Sequence, residues 1–455
     1  MKYYFDITDL IKFAQRNGSV SGIQRVQISV LQHLASGRDK DEILCAYAIN
    51  RFSGVTICRA QDLFTNEVYS APRMLIRLGL ENPYAAFSKR ELNDDLAKYK
   101  KKSFRRVVRK FKLLILGRLF PAYARAQMNL SSCSHENIHE QKTIETWKLK
   151  SLENQDHIVM LGTNWNASAV EKLARQHSKR GGAVSQVIYD LIPYRYPQYC
   201  TDNVPKKFKG FLNRSRSFVS QYICISEATK GDLLDYLSNF NTEVPAKAWP
   251  LAHEFEGYSR NERDSGSSHP KLLELLQRSF ILCVGTIEVR KNGISLLKVW
   301  QRLLVEFGDK TPQLVFAGKY GWKIDSFQKL LESDAALQQI VTIIPNLTDD
   351  DLAVLYQRCL FFVYPSLAEG WGLPVGEAAW FGKYSVVSSA SSLPEVGGDL
   401  VDYVDPNNID ECTQSIKNAI INEDYRKHCE KNISQASLRS WRDVASHLHE
   451  LIAGK

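Results

Sequence analysis

The stretch SLAEGWGLPVGEAAWFGK, Ser366–Lys383, sets two carboxylates eight residues apart, Glu369 and Glu377. Three glycines, one proline and no other charge separate them. Two carboxylates at this spacing can work as acid and base, bracket one ligand from two sides, or flank a strand-to-helix turn; spacing alone leaves all three open. Gly370 and Gly372 lack a Cβ, so their backbone can approach a ligand closely. A second stretch, FILCVGTIEVRKNG, sets two adjacent cations, Arg290 and Lys291, beside a helix start, with Asn292 a candidate N-cap. An Arg and Lys pair suits a diphosphate, and an exposed basic turn is the plainer alternative.

Elements must position these groups. LFFVYPS (360–366) reads as a buried strand, LAEGWG as the loop after it, and LPVGEAAWFGK as a helix with Pro374 in its first turn and Gly382 at its end. SFILCVGT (279–286), QLVFAG (313–318), IVTIIP (340–345) and YSVVSSA (384–390) read as further strands, and GISLLKVWQRLLVEFG (293–308) and DDDLAVLYQRC (349–359) as helices between them. In the first half, 3–7, 43–49, 157–162, 183–191 and 217–226 are strand-like. This alternation predicts an α/β chain with parallel sheets covered by helices. Ligands of such sheets bind beyond the carboxyl ends of strands, where helix N-termini offer free N–H groups to an anion. Two glycine- or cation-bearing turns in one half argue for a nucleotide diphosphate shared between them.

With 455 residues the chain is expected to form two domains. The predicted organisation is an N-terminal domain over 1–256 with an insertion over about 81–150, a polar linker over 257–271, a C-terminal domain over 272–435, and a final amphipathic helix within 436–455. Trp441, Val444, Leu448 and Leu451 share one face of that helix.

The motifs FILCVGTIEVRKNGISLLKVW, QLVFAGKYGW, LTDDDLAVLYQRCLFFVYPSLAEGWGLPVGEAAWFGK and SVVSSASSLPEVGGD occur in that order over about 275–405. They resemble the retaining glycosyltransferases of the GT-B fold, family 4, with its E-x7-E signature, and most of all the mannosyltransferase-type members that build O-antigens, lipopolysaccharides, capsules and exopolysaccharides. The resemblance implies two Rossmann-like doubly wound domains facing a cleft, with 272–435 as the nucleotide-sugar-binding domain, the final helix crossing back to the first domain, and sugar transfer with retention of configuration. It implies that Glu377 binds the donor ribose and that Glu369 lies near the donor sugar. The amides around Gly370, Trp371, Gly372 and Leu373 would meet sugar or diphosphate, and Arg290 and Lys291 would clamp the diphosphate. Thr286 stands where many members carry an arginine directly after the strand-end glycine. In the first half, SVSGIQRVQISVLQHL (19–34) is similar to the family's glycine turn, so Gly22 would approach the donor or acceptor. VIYDLIPYRYP (187–197) resembles a family stretch with Tyr189 in place of its histidine, and assigns Asp190 either a substrate-orienting or a capping role. ICISEATKGDLL (223–234) matches a further family segment, for which capping by Ser226 is the simpler account. His253 has no serine or carboxylate partner motif and is not read as catalytic.

From Lys98 to Arg118 the chain carries ten Lys or Arg and no acid, more than its whole net charge of +9. Phe104, Val107, Val108, Phe111, Ile115 and Leu119 fall on one helical face, with Arg105, Arg106, Arg109, Lys110 and Lys112 around them. This pattern fits a helix on an anionic membrane surface, with a helix packed on its own domain as the plainer reading. No aromatic platform accompanies it, so nucleic acid is not an expected partner. No apolar run reaches a membrane span, and MKYYFDITDLIKF has acids where a signal peptide is apolar. The expected place is therefore cytoplasmic, peripheral at the inner face of the cytoplasmic membrane. The nine cysteines contain no CxxC pair, which predicts reduced, buried thiols. NDD (93–95) lies in the basic insertion and DDD (349–351) starts a helix, so neither marks a metal site and no metal or cofactor is expected. The expected donor is a nucleotide sugar, with GDP-mannose favoured by the resemblance, and the expected acceptor a glycan, polyprenyl-diphosphate-linked or otherwise lipid-borne. A GT-B sugar-nucleotide epimerase and a non-enzymatic sugar-nucleotide-binding protein are the alternatives; conversion of donor without acceptor would mark the first.

Overall fold

The structure is a computed structural model that describes the chain except residues 16–21, 38–42, 50–53, 66–68, 81–94, 97–103, 120–142, 164, 166–167, 241–242, 261–269 and 455. Most of the 81–150 insertion and the middle of the 257–271 linker therefore lie outside the described residues. The chain divides into two compact units: residues 1–187, 217–221 and 452–455 in one, and 188–216 and 222–451 in the other.

In the first unit the strands are β1 (Tyr3–Asp6), β2 (Ile43–Tyr47), β3 (Thr56–Arg59), β4 (Trp147–Lys148), β5 (His157–Met160) and β6 (Ala183–Ile188). Their order is β4-β3-β2-β1-β5-β6. β2, β1, β5 and β6 run parallel, with Tyr3 opposite both Ile43 and His157. Their near-continuous burial explains why they read as apolar runs rather than alternating ones. β3 and β4 add an antiparallel edge. Neither is among the strands expected from the sequence. Helix α1 (Gly22–Ala35) and helix α2 (Phe104–Leu119) belong to this unit. On α2, Val107, Val108 and Phe111 are 63%, 47% and 68% exposed. Leu113 is buried, and Arg109 forms a two-pronged pair with buried Asp95 at 3.0 and 3.3 Å.

In the second unit, β7 (Gln221–Cys224) and β8 (Ala246–Ala248) pair in parallel. A six-stranded sheet follows: β9 (Phe280–Val284), β10 (Gln313–Ala317), β11 (Val341–Ile344), β12 (Phe362–Tyr364), β13 (Ser385–Ser388) and β14 (Asp402–Val404). Every pairing is parallel and the order is β11-β10-β9-β12-β13-β14. The chain thus runs outward from β9 in one direction, then returns and runs outward in the other from β12. That reversal places a crevice beyond the ends of β9 and β12. Trp300, Leu297, Phe316 and Val363 lie in the core on this sheet.

The helices that bear on the site are α3 (Glu227–Leu237), α4 (Gly293–Phe307), α5 (Asp349–Arg358), α6 (Leu373–Trp380), α7 (Leu393–Gly397) and α8 (Trp441–Ala453). Thr348 and Asp351 close a reciprocal capping box at the start of α5. Gly382 ends α6 in the left-handed region, φ 72°, as its place in the sequence predicts. Asn292 corrects the N-cap expectation. It sits before α4 at φ 56° and sends its side-chain amide to the Pro406 carbonyl at 2.9 Å, so it makes no side-chain cap. Trp441, Val444 and Leu448 of α8 are fully buried and Leu451 only partly; the Trp441 indole donates to the Glu254 carbonyl at 3.0 Å. The eight described cysteines are all unpaired and seven are buried. Among the described residues, no helix is long and apolar enough to cross a membrane.

Candidate functional site

Arg290 and Lys291, the cations singled out in the sequence, lie at the crevice beyond β9 and β12. After β9 the chain turns at Gly285, φ 131°, and makes a short 3-10 turn over Val289–Lys291. After β12 it enters the loop that carries Glu369. Backbone bonds tie the two loops, with Leu367 N–H donating to the Arg290 carbonyl at 2.8 Å. The Arg290 guanidinium donates to the Ala368 carbonyl at 2.6 Å and pairs with Glu369 Oε2 at 2.7 Å. Lys291 Nζ and Ser366 Oγ each reach Glu369 Oε1 at 2.6 Å, and the Tyr364 hydroxyl donates to the same oxygen at 3.1 Å. Lys291 also donates to the Tyr364 hydroxyl. On the far side Arg290 donates to Glu288 Oε1 at 2.6 Å, while Glu288 Oε2 is buried without a partner.

The electrostatics follow from this packing. Burial alone would raise the Glu369 carboxyl, but Arg290, then Lys291, and the donated hydrogen bonds hold it down to about 2. Burial pushes Lys291 below its ordinary value against the pull of Glu369. Arg290 rises despite burial, because Glu369 and Glu288 favour its charged form. Glu288 is raised, first by burial and against Arg290 and Lys291. Two cations and two carboxylates form one buried cluster, with Glu369 as the shared counter-ion of Arg290 and Lys291.

Gly370 and Gly372 are required for close approach. A Cβ at Gly370 would lie 1.9 Å from the Tyr189 carbonyl oxygen and 3.0 Å from the Asp190 Cβ. Gly372 adopts φ 109°, and a Cβ there would meet Leu393 at 2.5 Å. The loop is clasped from behind: Glu369 N–H donates to Ser391 Oγ at 2.7 Å, and Ser392 Oγ donates to the Glu369 and Trp371 carbonyls at 3.0 and 2.9 Å. The Trp371 side chain is core, and Leu373 is the first residue of α6. Thr286 lies on the clamp turn, with its methyl in the path of any Cβ at Gly321.

Glu377 lies one turn inside α6, buried, and accepts the Tyr356 hydroxyl of α5 at 2.8 Å. Asp190 accepts the Ile192 N–H at 3.0 Å, a turn bond two residues along the chain, and also feels Arg290 and Glu369. Burial raises its carboxyl above the ordinary range, opposed by Arg290. Ser226 caps α3 through the Thr229 N–H at 3.0 Å, as expected. Glu395 of α7 completes that cap by accepting the Glu227 and Ala228 N–H groups at 2.7 and 2.8 Å. His253 has both ring nitrogens engaged by backbone: Nε2 with the Val396 carbonyl at 3.1 Å and Nδ1 with the Arg439 N–H at 3.2 Å. Burial lowers its pKa, so it stays neutral and structural. Gly22 is exposed at the start of α1, in the first unit.

The structure brings together Arg290, Lys291, Glu369, Gly370 and Asp190, which the sequence reading names separately. That reading missed Glu288, Tyr364, Ser366 and Tyr356. Tyr364 and Ser366 had a signal in the polar groups at the end of the otherwise apolar run LFFVYPS. Among the described residues, no group of three or more His, Cys, Asp or Glu could hold a metal ion.

The sheet is doubly wound, with the Arg290–Lys291 pair and the glycine-bordered Glu369 at its switch point. Residues 264–436 match the family of glycosyl transferases group 1. The O-antigen chain mannosyltransferase B of Escherichia coli is 34% identical over 174 residues, which are 38% of this chain and 45% of that protein. The serotype-specific mannosyltransferase WbdA of Escherichia coli is 27% identical over 263 residues, 57% of this chain and 32% of that one. This chain spans less than half the length of these relatives. Among solved structures, the sucrose-phosphate synthase of Thermosynechococcus elongatus covers 100% of this chain and 98% of its own, with TM-score 0.59 and 14% identity. The fold is GT-B, and residues 264–436 carry the likeness to the glycosyl transferases group 1.

Proposed function

We propose that this chain is a retaining glycosyltransferase that moves a sugar, mannose by its relatives' names, from a nucleotide diphosphate to a glycan in cell-surface polysaccharide synthesis. The observation that carries the proposal is the buried Arg290–Lys291–Glu369 cluster at the strand-order reversal. A diphosphate entering there displaces Glu369 as counter-ion. Arg290 and Lys291 then stabilise the charge that grows on the leaving diphosphate, in a pocket where such interactions are strong. Released Glu369 turns to the donor sugar. Glu377, held by Tyr356, accepts the ribose hydroxyls, and a carboxylate can accept two. Asp190, beside the cluster, orients the substrate. The amides over Gly370–Leu373 line the same place. GDP-mannose is the favoured donor, and no metal is required where two cations do this work.

The membrane reading of α2 is part of the proposal. Val107, Val108 and Phe111 stand exposed on a helix whose Arg105, Lys110 and Lys112 are also exposed. Apolar and basic side chains presented together fit an anionic lipid surface, each cation adding about 1 kcal/mol. On this reading the enzyme works at the inner face of the cytoplasmic membrane, where a lipid-linked acceptor would be held.

The test is a panel of sugar nucleotides with purified protein, reading hydrolysis, transfer and thermal stabilisation. Lys291→Ala and Glu377→Ala should lose transfer while retaining a cooperative melt. Full transfer by either variant, or no stabilisation by GDP, UDP or dTDP, overturns the proposal.

A further inference from the structure

The turn after β10, Gly318–Lys323, carries two large aromatic side chains into solvent. Tyr320 is 47% exposed and Trp322 is 41% exposed. Trp322 is the one exposed tryptophan among the described residues. This turn is held firmly at both ends. On one side it is zipped to the clamp turn: Ile287 N–H donates to the Lys319 carbonyl at 2.9 Å, Gly321 N–H to the Ile287 carbonyl at 2.7 Å, and Val289 N–H to the Trp322 carbonyl at 3.4 Å. Two glycines permit that approach. A Cβ at Gly318 would lie 1.9 Å from the Gly285 carbonyl oxygen, and one at Gly321 would lie 2.8 Å from the Thr286 methyl.

On the other side the turn is tied to residues 198–199. The Trp322 indole donates to the Tyr199 carbonyl at 2.7 Å, and Lys323 Nζ to the Gln198 carbonyl at 2.6 Å. The Tyr199 ring stacks on Tyr196 at 5.7 Å and 20°. Through the Val289–Trp322 backbone bond this aromatic edge lies one residue from Arg290.

The Trp322 ring, held through its indole N–H, is exposed surface beside a candidate site that binding can cover with little loss of side-chain freedom, and Tyr320 stands exposed two residues before it. The indole N–H and the Lys323 ammonium are both engaged, so the platform offers ring surface more than charge. A pyranose suits it, because one face of the sugar is a layer of C–H groups and the rim carries hydroxyls. The strand order separates this edge from the nucleoside side. β10 flanks β9 on one side, whereas Glu377, the proposed ribose ligand, follows β12 on the other.

We propose that Tyr320 and Trp322, backed by the Tyr196–Tyr199 pair, form a stacking subsite for pyranose units of the acceptor glycan. The assignment rests on the transferase reading for its location, but its test is independent of transfer. Saturation-transfer difference NMR with mannotriose is run on the wild type, Tyr320→Ala, Trp322→Ala and Trp322→Phe, with calorimetry of GDP and UDP on the same samples. The expected result is mannotriose binding in the wild type, weakened at least tenfold by either alanine variant and largely kept by Trp322→Phe, with nucleotide binding unchanged throughout. No saturation transfer in the wild type, or undiminished transfer in both alanine variants, overturns it. Loss of nucleotide affinity in Tyr320→Ala also overturns it and assigns the aromatics to the nucleobase. Wild-type protein that binds mannotriose but neither GDP nor UDP would instead remove the transferase reading and leave the stacking subsite standing.

Discussion

Replacing Glu369 by glutamine keeps the shape of the side chain and removes its charge, leaving Arg290 and Lys291 buried without their shared counter-ion. The carboxyl is held near 2 instead of an ordinary 4.5. A depression of about 2.5 units corresponds to about 3 kcal/mol of folded-state preference for the ionised form, an order-of-magnitude figure that agrees with the 3–5 kcal/mol lost on breaking a buried pair. Because the folded-state value is depressed, this stabilisation is present above pH 4.5 and fades as pH falls towards 2. Glu369→Gln should therefore lower the melting temperature of the nucleotide-free protein by about 6–12 °C at pH 7, and the loss should shrink at acid pH. Nucleotide binding should move the opposite way. The diphosphate no longer competes with Glu369, so GDP or UDP should bind more tightly and raise the melting temperature further than in the wild type, although transfer is lost. Differential scanning fluorimetry with calorimetry reads both effects. A variant that melts within about 2 °C of the wild type, or that binds nucleotide more weakly, would refute the counter-ion account.

Tyr356→Phe should remove the hydrogen bond to Glu377 and weaken nucleotide binding by about 1–2 kcal/mol, seen in calorimetry as a roughly five- to thirtyfold higher Kd with an unchanged melt. Gly370→Ala should force the signature loop off the Tyr189 carbonyl and reduce kcat/KM by about 10² in transfer kinetics, more than its effect on secondary structure by circular dichroism. Val107→Glu with Phe111→Glu should release the protein from phosphatidylglycerol vesicles in a flotation assay, at least about tenfold. Unaltered flotation would return α2 to the role of a helix packed on its own unit.

The elements that built the site were legible because parallel strands buried on both faces leave continuous apolar runs, as in FILCV and FFVY. The turns were legible because close approach demands glycine. What hid was the second partner of each charge. Nothing in the spacing showed that Glu369 would point at Arg290 and Lys291 rather than at open solvent, since that depends on how the loops after β9 and β12 register against each other. Glu288 looked like an ordinary turn acid, yet it is buried, with the backbone of Gly321 close against it. Asn292 fails as a cap for a related reason: its left-handed backbone aims the amide at Pro406, 114 residues on. Strands β3, β4, β8 and β14 are not among those the sequence predicts.

The clasp between α3 and the signature region has an evolutionary consequence. Glu395 holds the Glu227 and Ala228 amides, Thr229 Oγ1 donates to the Gly370 carbonyl at 3.3 Å, and the Tyr189 carbonyl fills the space a side chain at 370 would take. Recombination that joined residues 272–435 to a foreign N-terminal half would inherit an acid at 395 in search of two amides and a bare glycine in search of a carbonyl. Hybrids should survive only where the incoming half brings a matching strand-to-helix junction, so these distant positions are expected to drift together rather than independently.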